Sequence, residues 1–279
     1  MDRVEKELKL ILHKRVKCLY IMDPTFNIDK GRAKHILRII IKNNINTHLH
    51  VELKAELLDK DLVGLLYKAK ANFIEIGIQS TNKKTLKLIN RDFEPALFKK
   101  NIILLNKKKI YHQLQLIDGL PADNYSRLKK SVDWLFKLHP AEIRIMRLML
   151  LPGTYLRQNA KRFKLRYDPK PPYHSFKSNT YSFRDLKKTE NLRIVMNILY
   201  TLGLMRKSLY IMRDELKINP TLIFEEWIKW ISQRYEILQK YFAEVHVDKI
   251  DNFIISRKIS DSIYEFIRYM CNKYGYPCA

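Results

Sequence analysis

Cysteine, glycine, acidic side chains and long apolar runs are all scarce in this 279-residue chain. Its three cysteines, Cys18, Cys271 and Cys278, are too few and too scattered for a disulfide framework. The spacing of the last two fits no usual metal-binding pattern, so all three read as ordinary thiols. No stretch reaches the roughly 20 consecutive apolar residues of a membrane-spanning helix. The opening "MDRVEKELKLIL" is a charged amphipathic helix, not a secretory leader. With 46% hydrophobic residues the chain can bury a core, and a soluble cytoplasmic protein is expected.

Acidic residues number 29 against 53 Lys and Arg, a formal net charge of +24. One reading is attraction to nucleic acid or another polyanion. The other is a set of solvated helix faces. The basic residues run through nearly every helical segment instead of gathering in one stripe, which favours the second.

Five times a short apolar strand is followed by a segment of helical period. The strands are Val16–Met22, His48–Leu53, the stretch around Phe73–Gln79, His112–Leu120 and Ala141–Leu151. Strands alternating with helices predict an α/β fold of parallel βα units, open or closed into a barrel. At "YDPKPPYHSF" three prolines interrupt the pattern. Beyond it the chain reads as helical from about Arg184 to Tyr274, with Trp227, Trp230 and Tyr235 packing there. The expected division is 1–171 and 172–279.

Side chains along a strand alternate between faces. His48, His50 and Glu52 oppose Leu49, Val51 and Leu53. Glu75, Gly77 and Gln79 oppose Ile74, Ile76 and Ile78. Gln113 and Gln115 oppose Leu114 and Leu116. A parallel sheet covered on both faces would read as continuous hydrophobics. A polar face on three successive strands fits a barrel whose lumen takes a polar ligand, with Glu52, Gln79 and Gln115 near the C-terminal strand ends. The alternative is an open sheet whose polar residues satisfy one another.

Taken together, "DPTFN", "EIGIQSTNKKTLKLINR", "LIDGLPADNY" and "LMLLPGT" resemble the radical S-adenosylmethionine superfamily over roughly Val4–Leu199. The order looks most like the branch with coproporphyrinogen dehydrogenase and cobalamin-domain radical enzymes, followed by a C-terminal domain of unassigned function. That resemblance implies a partial (β/α)6-type barrel, strands two to six, followed by an all-helical C-terminal region. It also implies S-adenosyl-L-methionine held against a 4Fe-4S cluster. By motif, Thr25 lies in the loop that faces the methionine amino group, and Glu52 is a strand-end carboxylate near the cofactor. Gln79, with Ser80 beside it, matches the amide that reaches the ribose. Arg91 matches the partner of the methionine carboxylate, and Gln115 stands where relatives carry a ribose-binding aspartate. Arg91 could instead cap its own short helix, and Glu52 could pair with His48, His50 or a lysine.

The family's C-x3-C-x2-C loop, which gives three thiolates to the cluster, is not in this sequence. The expectation is an N-terminally shortened chain, inactive alone. Its partner would be an upstream polypeptide bearing the missing strand and cysteine loop, with "VKCLYIM" left as an open sheet edge. The competing function is a non-catalytic basic protein binding RNA or another polyanion on a degenerate barrel. Neither reading involves a membrane.

Overall fold

The predicted alternation is present in the computed structural model, which describes residues 1–43, 46–234 and 252–275. Helix α1 (Asp2–His13) precedes strand β1 (Cys18–Ile21). Then come α2 (Lys30–Lys42), β2 (His48–Leu53), α3 (Lys60–Lys68) and β3 (Ala71–Gln79). The short α4 (Lys83–Leu88), α5 (Pro95–Lys107), β4 (His112–Asp118), α6 (Tyr125–Phe136) and β5 (Glu142–Arg147) complete the βα series. Three helices begin by the same device. Asp29, Asp59 and Asn124 accept from the amides of Arg32, Leu62 and Arg127, each such cap contributing about 1 kcal/mol.

All five strands are parallel and lie in chain order, β1-β2-β3-β4-β5. The register sets Glu52 opposite Glu75 and Gly77 opposite Gln115, with an irregularity between Gly77 and Gln79. Leu49, Val51, Ile74, Ile76, Leu114 and Leu116 are fully buried on the helix-covered face. On the other, concave face His50, Glu52, Glu75, Gln79 and Gln115 are only half-buried. β1 is an edge of this sheet: Leu19 is buried, while Cys18, Tyr20 and Met22 are exposed.

After α7 (Tyr155–Gln158), a small antiparallel hairpin pairs β6 (Arg166–Tyr167) with β7 (Ser175–Lys177). It is stitched onto the chain beyond β5, where Leu150 N donates to Tyr173 O and Ser175 N to Leu148 O. The division expected at 171/172 falls inside this hairpin, so the segment that follows opens on a strand. Helices then dominate: α8 (Phe183–Met196), a π-helical turn at Asn197–Thr201, α9 (Arg206–Leu216), α10 (Pro220–Arg234) and α11 (Asn252–Lys273). Trp227 and Trp230 are buried there, whereas Tyr235 and Cys278 lie outside the described residues.

One contiguous core runs from Leu8 and Leu12 through the covered sheet face to Phe224, Trp227 and Met270. Asp133 of α6 fastens the C-terminal helices to the sheet layer. Its carboxylate accepts from both the backbone and the hydroxyl of Thr221, at 3.0 and 2.9 Å. Among the described residues no helix is long and apolar enough to cross a membrane.

Candidate functional site

The polar residues of the concave face form one connected group around Gly77. Glu75 is its hub. His50 Nε2 meets Glu75 Oε1 at 3.0 Å, and the Gln115 amide donates to Glu75 Oε2 at 2.7 Å. The second Gln115 N–H donates to Gln113 Oε1, also at 2.7 Å. A carboxylate only accepts, so the Gln115 nitrogen must face Glu75. The Gln115 Oε1 is thereby left as an acceptor with no partner among the described residues. The His50 ring lies between Tyr20 and Phe73, with centroids 3.7 and 4.4 Å away.

The Glu52 carboxylate makes no hydrogen bond among the described residues, and His50 pairs with Glu75 instead. Burial raises the Glu52 carboxyl above the usual range. The charge of Glu75 adds to the shift and Arg91 opposes it. Arg91 is therefore close to the Glu52 carboxylate. Its guanidinium donates to the carbonyl of Gly77 and not to the end of α4, so it does not serve as a helix cap. Most of its N–H fork stays available for a ligand carboxylate.

Gln79 closes β3 in the left-handed region, φ 69°, where a side chain other than glycine is strained. This turns its amide back over Gly77: a β-carbon at Gly77 would stand 2.5 Å from Gln79 Nε2. Glycine here is what lets the amide approach this closely. The loop before α2 is anchored at the end of β2. Phe26 N donates to Glu52 O at 2.8 Å, and Asn27 exchanges two hydrogen bonds with Lys54. Thr25 sits beside this anchor, its hydroxyl on Pro24 O.

Thus Glu52, Gln79, Arg91 and Gln115 meet on one face, and the Thr25 loop borders them. Ser80 is placed differently. It is fully buried, donates to Asp123 Oδ2 at 2.7 Å and ties the end of β3 to the loop after β4. Glu75 stands out in the sequence only as one member of a polar face; its central role comes from the register.

A second charged group lies on the opposite, covered face. Asp118 at the end of β4 meets Arg193 of α8 at 3.2 Å, and Arg147 of β5 meets Glu190 at 3.1 Å. Asp118 is fully buried with Oδ1 unpartnered, and burial pushes its carboxyl up to about 6 against the pull of both arginines. A carboxyl raised in the fold binds more protons folded than unfolded. Stability is therefore fullest below about pH 4 for this group and is lost as pH rises through 6. Urea melts between pH 4 and 7 should show a loss on the order of 2–3 kcal/mol from this group, absent in Asp118→Asn.

The concave group offers what a ligand bearing a carboxylate, an ammonium and hydroxyls needs: a guanidinium, a free carboxylate and two amides. A four-iron four-sulfur cluster finds no such fit. Cys18 lies on β1, Cys271 in α11, and no group of three or more His, Cys, Asp or Glu suits a metal among the described residues.

Residues 1–135 match the Radical SAM superfamily profile. An uncharacterized protein of Methanocaldococcus jannaschii is 25% identical over 114 residues, 39% of this chain and 35% of that protein. The solved radical S-adenosylmethionine methyltransferase TsrM from Kitasatospora setae, with cobalamin and a [4Fe-4S] cluster bound, superposes with a TM-score of 0.52 at 16% identity. That match covers 60% of this chain and 36% of TsrM. Coproporphyrinogen III oxidase from Escherichia coli gives 0.44 at 17% identity, over 53% of this chain and 37% of its own. At 16% identity the likeness to TsrM is one of fold. The chain spans about a third of the length of each relative.

Proposed function

We propose that this chain, whose residues 1–135 match the Radical SAM superfamily profile, binds S-adenosyl-L-methionine on its concave face as part of a radical enzyme. The convergence of Glu52, Gln79, Arg91 and Gln115 around Gly77 carries this reading. Arg91 pairs with the methionine carboxylate. Glu52 and the Thr25 loop face the ammonium group, and the amides of Gln79 and Gln115 take the ribose hydroxyls. The cofactor's own chemistry is hydrogen abstraction by a 5′-deoxyadenosyl radical, and the protein supplies orientation.

Reductive cleavage needs thiolates that the C-x3-C-x2-C loop would bring, and this sequence has no such loop. Alone, the chain is a binding unit without turnover. A strand along β1 and the cysteine loop, supplied from beyond these residues, complete the enzyme in the cytoplasm. The C-terminal helices help set the substrate. The polyanion alternative gains nothing from this face, because Glu52 and Glu75 repel phosphate there.

Calorimetric titration with S-adenosylmethionine tests the assignment. Arg91→Ala is expected to lose at least tenfold in affinity and Gln79→Ala several-fold, as charge-assisted and neutral hydrogen bonds differ. Equal affinity in wild type and both variants would remove it.

A further inference from the structure

Outside the concave face, one stretch of the chain is dense in cations. From Arg157 to Lys177 there are seven Lys and Arg against one acid, Asp168. Arg157 is used structurally: it lies between the rings of Tyr167 and Tyr173, 5.2 and 4.7 Å from their centroids, and donates to Leu150 O. The other six, Lys161, Arg162, Lys164, Arg166, Lys170 and Lys177, are exposed. None forms an ion pair among the described residues. Arg166 and Lys177 are direct cross-strand partners in the β6–β7 hairpin. Like charges facing each other across a hairpin destabilise it, and a bound anion would relieve that repulsion.

Solvent-facing aromatics accompany these cations. Phe176 is 40% exposed on β7, with Tyr155 at 50% and Phe183 at 67% on the helices either side. From this combination we infer that the hairpin is a docking surface for single-stranded RNA. The cations track the phosphates, and the rings give unpaired bases a plane to stack on. An anionic membrane would call for an amphipathic helix with a broad apolar face, which a hairpin of two and three residues per strand does not provide. Because the hairpin is stitched to the chain leaving β5, a strand bound on it passes the C-terminal end of the sheet, where the concave site opens.

RNA docking here is independent of S-adenosylmethionine binding, so either can fail alone. Affinity of the full chain for a fluorescein-labelled 20-nucleotide unstructured RNA should be measured from 50 to 300 mM salt. If four phosphates are engaged, the log–log salt slope is about −3. Arg166→Glu faces Lys177 with an attractive charge and so keeps the hairpin. It should cut affinity at least tenfold and flatten the slope, as should Lys161→Glu. Phe176→Ala should lose at least fivefold. Reversing Lys99 and Lys100 on the exposed side of α5 (K99E/K100E) should change affinity less than twofold. Equal losses at α5 and the hairpin, or an unchanged slope in Arg166→Glu, would overturn the inference. So would equally tight binding to vesicles of anionic phospholipid with no effect of Phe176→Ala, which would assign the surface to a membrane.

Discussion

Replacing Phe136 by alanine is expected to lower the stability of the whole chain by about 3–5 kcal/mol, in a single transition. The ring is fully buried at the end of α6, and the residues it meets belong to the C-terminal helices. Its centroid lies 4.6 Å from Tyr200, 5.7 Å from Phe224 and 6.0 Å from Tyr210. Removing it opens a cavity between the sheet layer and those helices, and the surrounding aromatics are too constrained to fill it. Tyr200 in particular is held by hydrogen bonds to Pro140 O and Tyr210. Urea unfolding followed by far-ultraviolet circular dichroism and by tryptophan fluorescence should shift as one curve, since Trp134 and Trp227 report on the two sides. Separate transitions, with only one displaced, would mean that the C-terminal helices fold as an independent unit.

Gly77→Ala is expected to separate binding from stability. The added methyl collides with Gln79 Nε2 at 2.5 Å, the far end of a flexible side chain, and not with backbone. The amide swings away while the strand stays paired, so melting should change by no more than about 1 kcal/mol. Affinity for S-adenosylmethionine should nevertheless fall at least tenfold, because the displaced amide and the methyl both intrude on the ligand's place. Unchanged affinity would show that Gln79 does not touch the cofactor. A collapse in stability would show that its strained backbone conformation depends on that contact.

Much of the architecture is legible in the sequence for a simple reason. Period-2 alternation with one polar face is rare in parallel strands, so the faces of the three central strands could be read from residues such as Leu49, Ile76 and Leu116, which mark the helix-covered side. Pairings are another matter. Nothing local says that His50 bonds to Glu75 rather than Glu52, because that choice depends on the register between β2 and β3. The same holds for Arg91, whose helix-cap role looks reasonable until its guanidinium is found on Gly77 O. Ser80 follows Gln79 directly, yet the turn out of β3 sends its hydroxyl to Asp123. The prolines near 170 suggest a break between units, whereas they shape a hairpin loop over a core that continues past it. Nothing local says that Arg166 faces Lys177; the hairpin register decides it.

Five parallel strands laid down in chain order leave the sheet with no point at which its winding reverses. Sheets that do reverse cradle ligands in the crevice that opens there. This one instead presents Glu52, Glu75 and Gln115 side by side on a half-buried face, so a ligand there would be read strand by strand across neighbouring strands and not in a single cleft.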